Sequence, residues 1–193
     1  MEVKEHCLGM EGAMREAITL FHEARHTKVP AQQAMAEQTL EKILDQCDAG
    51  LSFSYADGLC GIGVGIEYLL QEGYVDGDAN EVLSHFDALL FRIITVRPAI
   101  DTSIAHGMLG IAYYLYYRLK AQSTSDAPQV LHLKEHLIYL IDWMGDALQD
   151  PAKDKNLYEF WFILVLLLQL DVFNAKILNL LNYCGKEIAL WKK

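Results

Sequence analysis

A chain of 193 residues, 52% of them apolar, holds enough material for one core and needs no second domain. Its formal charge of −10 and isoelectric point near 5.1 exclude the basic face that nucleic acids and anionic membrane surfaces select, leaving a small molecule, a peptide or another protein as partner. Four scattered cysteines make no disulfide framework, and the opening Met1-Glu-Val-Lys-Glu-His6 has no hydrophobic signal region, so a reducing cytoplasm is the expected setting.

Along the chain, Gly-x-x-Gly recurs at Gly9-Met-Glu-Gly12, Gly58-Leu-Cys-Gly61 and Gly107-Met-Leu-Gly110, a constant 49 residues apart. Each opens an apolar run: Ala13 to Phe21, Ile62 to Leu70, Ile111 to Leu119. One further step of 49 lands on Asn156-Leu-Tyr-Glu159, which heads Phe160 to Leu170 without the glycines, a degenerate fourth copy. A fixed period of this length without strand alternation predicts an all-α chain of stacked helical hairpins, about 1–49, 50–98, 99–148 and 149–193. The inner helix of each hairpin is apolar on most faces. The outer helices are expected over Ala31 to Cys47, Ala79 to Val96, Pro128 to Leu148 and Val172 to Leu190, where charge mixes with apolar residues at three- and four-residue spacing. Joints fall at Pro30, Gly50, Gly77, Pro98, Pro128 and Pro151, and Gln122 to Ala127 reads as a loop. The longest apolar run, Phe160 to Leu168, is too short to span a bilayer and reads as a buried helix.

Two segments, Ser54-Tyr-Ala-Asp-Gly-Leu-Cys-Gly-Ile-Gly-Val-Gly-Ile-Glu-Tyr-Leu-Leu70 and Asp101-Thr-Ser-Ile-Ala-His-Gly-Met-Leu-Gly-Ile-Ala-Tyr-Tyr-Leu115, resemble repeats of the lanthionine synthetase C-like family. The resemblance implies an (α/α) toroid whose glycine motifs open the inner helices around a central cavity; four hairpins form a part of such a ring. It also implies peptide modification: full-length members bind zinc on two cysteines and a histidine, and add a cysteine thiolate to a dehydroamino acid. This sequence has no Cys-His-Gly, and Cys184-Gly185 is its sole Cys-Gly pair after residue 60. No cofactor is therefore expected. Ala105-His106-Gly107-Met-Leu-Gly110 matches the family motif whose histidine serves as general acid or base, which makes His106 the catalytic candidate. Asp57 and Asp101 precede inner helices, where a carboxylate caps or complements the helix dipole, or, with Tyr55, lines the cavity rim. Tyr113, with Tyr114, Tyr116 and Tyr117, supplies aromatic surface for a bound peptide or sugar, or for the core.

Other patterns compete. His22-Glu-Ala-Arg-His26 is a literal zincin motif, although histidine and arginine at a helix C-terminus explain the same residues. His132 and His136 fall on the polar side of an amphipathic run and are expected in solvent. Cys60 reads either as a thiol activated at a helix N-terminus or as a small packing residue. The functional readings are a lanthionine synthetase C-like protein without independent catalysis, or a non-catalytic peptide- or protein-binding repeat module that pairs with itself or with a larger enzyme. A carbohydrate-active toroid using Asp57 and Asp101, or a zincin peptidase, stand behind these.

Overall fold

The computed structural model describes residues 7–47, 50–150 and 155–190; the opening six residues and the joint at Pro151 lie outside them. The described residues are all-helical, in nine α-helices: α1 Ala13–Thr27, α2 Pro30–Asp45, α3 Leu59–Gln71, α4 Ala79–Val82, α5 Ser84–Val96, α6 Met108–Lys120, α7 Pro128–Gln149, α8 Leu157–Leu168 and α9 Asn174–Leu190. No helix among them is long and apolar enough to cross a membrane. The expected outer segments match α2, α7 and α9 to within three residues at either end. Ala79 to Val96 is instead broken at Leu83 into α4 and α5, where the Asp78 carboxylate accepts from the Asn80 N–H and caps α4.

The 49-residue spacing survives in the helix starts, since α3, α6 and α8 begin at Leu59, Met108 and Leu157. These helices lie side by side: α1 packs on α3, α3 on α6 and α6 on α8. Against them stand α2 on α1, α7 on α6 and α9 on α8, with α5 packed on α7. The core between the rows is aliphatic and aromatic, with Met14, Phe21, Ile62, Leu69, Ile111, Leu115, Phe160 and Ile163 fully buried.

The glycines are explained by the backbone in front of each helix. A helix leaves its first N–H groups without internal partners. Here the preceding loop folds back and supplies carbonyls: Leu59 N–H donates to Ser52 O at 2.8 Å, Met108 N–H to Asp101 O at 2.9 Å, Ala13 N–H to Cys7 O at 2.9 Å. The approach is so close that a Cβ built on Gly58 sits 1.8 Å from Ser52 O, one on Gly61 1.9 Å from Tyr55 O, and one on Gly107 2.0 Å from Asp101 O. Only a residue without a side chain lets the loop return. The loops then bond to one another across the repeat distance: Met10 N–H to Tyr55 O, Glu11 N–H to Ala56 O, and Ala56 N–H to Ala105 O.

The fourth loop does this with side chains. Asn156 Oδ1 accepts from the N–H groups of Tyr158 and Glu159, a side-chain N-cap. Glu159 Oε2 accepts from Ile104 N–H at 2.7 Å, joining the third loop to the fourth as the Ala56 N–H to Ala105 O bond joins the second to the third. The lack of glycines before α8 is thus compensated locally.

One buried ionic cluster crosses the helices. Arg118 on α6, 1% exposed, meets Glu67 of α3 at 2.5 Å and Asp87 of α5 at 2.8 Å. Tyr114 Oη donates to Asp87 Oδ1, and Gln71 Nε2 to Glu67 Oε2. Burial pushes the Glu67 carboxyl up, and the Arg118 guanidinium opposes this. Removing Arg118 would leave two carboxylates inside without their cation, a cost of about 3–5 kcal/mol.

His136 corrects the sequence reading. It is buried, stacked on Phe91 of α5 with ring centroids 4.0 Å apart and an interplanar angle of 15°, while His132 is exposed. Burial pulls the His136 imidazole below its usual range. The polar side of α7 at this point is where α5 packs.

Gly61→Ala should lower the unfolding free energy by about 3 kcal/mol, since the displaced atoms are backbone and cannot move aside. Gly185→Ala, inside α9 with open space around it, should instead stabilise by up to about 1 kcal/mol in the same denaturant titration. Equal effects at the two sites would remove the steric account.

Candidate functional site

Asp57 and His106 each stand directly before the first glycine of their motif and occupy matching places in successive loops, whereas Leu8, at that place in the first loop, is buried. Because Ala56 N–H bonds to Ala105 O, the two loops sit side by side and bring His106 Nδ1 to 3.3 Å from Asp57 Oδ2. Both side chains are about half exposed, at 55% and 47%. The carboxylate faces Nδ1 and leaves Nε2 open toward a bound group. Asp57 does not cap α3, whose N-cap is Gly58 with no side-chain bond.

The other oxygen of the same carboxylate, Asp57 Oδ1, accepts from Cys7 Sγ at 3.2 Å. Sequence reading missed Cys7, although it stands 49 residues before Ala56, whose carbonyl its thiol also reaches at 3.4 Å. The order thiol, carboxylate, imidazole matters. A nucleophilic thiol needs its proton taken by a base or its thiolate stabilised by a cation, whereas this thiol faces an anion. Burial first, and then the Asp57 hydrogen bond and charge, push Cys7 above the ordinary thiol range.

The remaining thiols are further from reactivity. Cys60 is fully buried and pushed well above its ordinary range by that burial, which settles it as a packing residue; Cys184 is buried and pushed up to about 11. Among the described residues no three His, Cys, Asp or Glu side chains are grouped so as to hold a metal ion. His22, first of the His22-Glu-Ala-Arg-His26 motif, has both ring nitrogens on tyrosine hydroxyls, Tyr68 at 2.7 Å and Tyr74 at 2.9 Å.

An aromatic surface starts in the loop that carries Asp57. Tyr55, in the loop before α3, meets Tyr113 of α6 edge-on at 5.4 Å; Tyr113 meets Tyr117 at 5.1 Å and Phe162 of α8 at 6.5 Å. His22 stacks on Tyr68 toward α1, and Arg25 lies 3.4 Å over the Tyr74 ring. A cavity of about 180 Å³ lies between them, lined by Ile18, His22, Tyr55, Val64, Tyr68 and Tyr117. Burial raises the Tyr55 and Tyr113 hydroxyls, so both stay neutral donors at physiological pH. Tyr114, grouped with them in sequence, is instead wholly buried and bound to Asp87.

The structure therefore brings together Tyr55 with Tyr113 and Asp57 with His106. Asp101 is used locally: its Oδ1 accepts the Ser103 N–H and holds the loop that its carbonyl turns back onto α6, so its side chain does not cap the helix.

No family model matches the chain, and no curated protein or solved structure does so either.

Asp57→Asn should speed iodoacetamide alkylation of Cys7 several-fold at mildly alkaline pH, read by peptide mass spectrometry, because the anion that disfavours the thiolate is gone. Cys60 should stay unlabelled in both proteins, and an unchanged Cys7 rate would mean that Asp57 does not control the thiol.

Proposed function

We propose that this chain is a lanthionine synthetase C-like protein of peptide modification, a partial (α/α) toroid of four helical hairpins that binds a peptide along its inner-helix aromatic surface. The observation that carries the reading is the pairing of His106 with Asp57 at 3.3 Å, on the loop that also supplies Tyr55 to its ring contact with Tyr113. A proton-exchanging imidazole held at the edge of a tyrosine-lined surface suits a polypeptide, which offers apolar side chains to the rings and backbone amides to the hydroxyls. The Ala105-His106-Gly107 motif and the 49-residue register support the family assignment.

The zinc centre of full-length family members does not fit these residues. Cys60 and Cys184 are buried, and Cys7 and His106 sit on opposite oxygens of one carboxylate. The proposed role is accordingly binding and positioning of the peptide, with His106 moving a proton and the thiol chemistry supplied by a larger partner enzyme. A cytoplasmic setting accords with this role.

A random dodecapeptide library displayed on phage is the direct test. Enriched peptides should bind the purified chain, and Tyr55→Ser should weaken them roughly tenfold or more, about 1.4 kcal/mol, without changing the helical circular dichroism signal. Failure to enrich any peptide, or binding indifferent to both Tyr55→Ser and Tyr113→Leu, would contradict the proposal.

A further inference from the structure

Between α4–α5 and α7 lies a cavity of about 390 Å³, which shares no lining residue with the tyrosine-lined one. Small-molecule sites span roughly 300–1,000 Å³. Its most informative member is His136. That residue is 9% exposed, and neither of its ring nitrogens has a hydrogen-bond partner among the described residues. The ring is positioned by its stack on Phe91, which also lines the cavity. Sealing an unpaired nitrogen inside would be costly. Among the described residues, the buried side-chain nitrogen or oxygen atoms without a partner come down to Asn174 Oδ1, so the His136 nitrogens are not sealed. They open on the cavity that the ring lines. Burial holds this imidazole below its usual basicity, so at neutral pH it is uncharged and one nitrogen is a free acceptor.

Asp87 is the other open acceptor of the lining. Its Oδ1 takes Tyr114 Oη and Arg118 Nε, whereas Oδ2 takes a single Arg118 nitrogen among the described residues. A carboxylate oxygen has room for two donors, and this side chain keeps 14% of its surface exposed. Arg118 answers both Glu67 and Asp87, so the cluster behind the cavity sets one cation against two carboxyl groups. Asn80, also in the lining, is fixed by bonds to Arg118 and Gln122, which orders this wall before anything enters. Glu135 adds an exposed carboxylate, and no lysine or arginine stands among the described lining residues. The apolar part of the wall is Ala88, Phe91 and Leu133.

We infer that this cavity binds a small organic ammonium ion, its nitrogen donating to Asp87 Oδ2 and to the His136 ring, its hydrocarbon body lying on Phe91, Ala88 and Leu133. An ammonium carries three donors and no acceptor, which matches a wall of free acceptors. It also supplies the positive charge that Arg118, shared between two carboxyl groups, leaves short. An anion would face Asp87 and Glu135, and a neutral alcohol would leave their charge unanswered. A metal ion needs three or more converging protein ligands, and no such group of His, Cys, Asp and Glu occurs among the described residues. An organic cation needs fewer acceptors and makes use of the apolar wall.

Isothermal titration of the full chain with phenethylammonium chloride decides this. The expected Kd is about 1 mM or tighter, as for a ligand of this size, with the neutral analogue 2-phenylethanol at least about tenfold weaker. Nα-acetyl-lysine methylamide, titrated alongside, gives the source of the cation: a free amine if it binds more weakly than phenethylammonium, a partner's lysine side chain if more tightly. His136→Phe keeps the ring stacked on Phe91 and removes both nitrogens, and should weaken binding at least about fivefold. Ala88→Phe, at an exposed position of α5, puts a ring into the cavity and should abolish binding with an unchanged helical circular dichroism signal. If His136→Phe loses helix, Ala88→Phe carries the test. No binding of either ammonium up to about 10 mM, equal affinity for 2-phenylethanol, or binding that survives Ala88→Phe would each overturn the inference.

Discussion

The whole arrangement depends on one contact: a loop carbonyl driven back onto the first turn of the helix it precedes, at α1, α3 and α6. It satisfies helix amides that otherwise have no partner, and its closeness admits only glycine at Gly58, Gly61 and Gly107. Because the loop lies on its own helix, its outer edge is free to bond with the next loop. The bonds from Met10, Glu11 and Ala56 then set the lateral spacing of the helices beneath them. The helix N-termini are spent on this internal bonding, so they offer no ready anion site despite their glycine-rich look.

The candidate site is a by-product of that spacing. Residues one step apart in the register are brought into contact wherever loops adjoin, and Asp57 with His106 is the chemically useful instance. The same geometry puts a thiol on the far side of the carboxylate, where it is restrained from acting as a nucleophile. Behind the loops, the Arg118 cluster joins α3, α5 and α6 and fixes the angle at which Tyr114 fills the space left by Gly63. The aromatic surface on which the proposed peptide lies is therefore backed by buried charge as well as by packing.

Much of this was legible in the sequence because it is local. Glycine spacing and apolar runs locate α1, α3 and α6; the segment expected from Ala31 starts one residue earlier, at Pro30, and the one expected from Pro128 starts there, since proline suits the first helical turn. His106 and Asp57 are legible as members of one register position. What escaped depends on distant partners. His136 looks solvated on α7 alone, and only the packing of Phe91 buries it. Cys7 precedes the first motif and has meaning only through Asp57. Glu67 and Arg118 did leave a signal, a single charge inside each of two apolar runs, which is where a buried pair must appear. Glu159 likewise marks itself by replacing a glycine.

Native-state hydrogen exchange tests the central claim most directly. The amides of Ala56, Leu59 and Met108, whose bonds tie loop to helix and loop to loop, should be protected to the same free energy as amides in the middle of α3 and α6. Exchange at these three positions as fast as in the Gln122 to Ala127 loop, with the helices still protected, would contradict it.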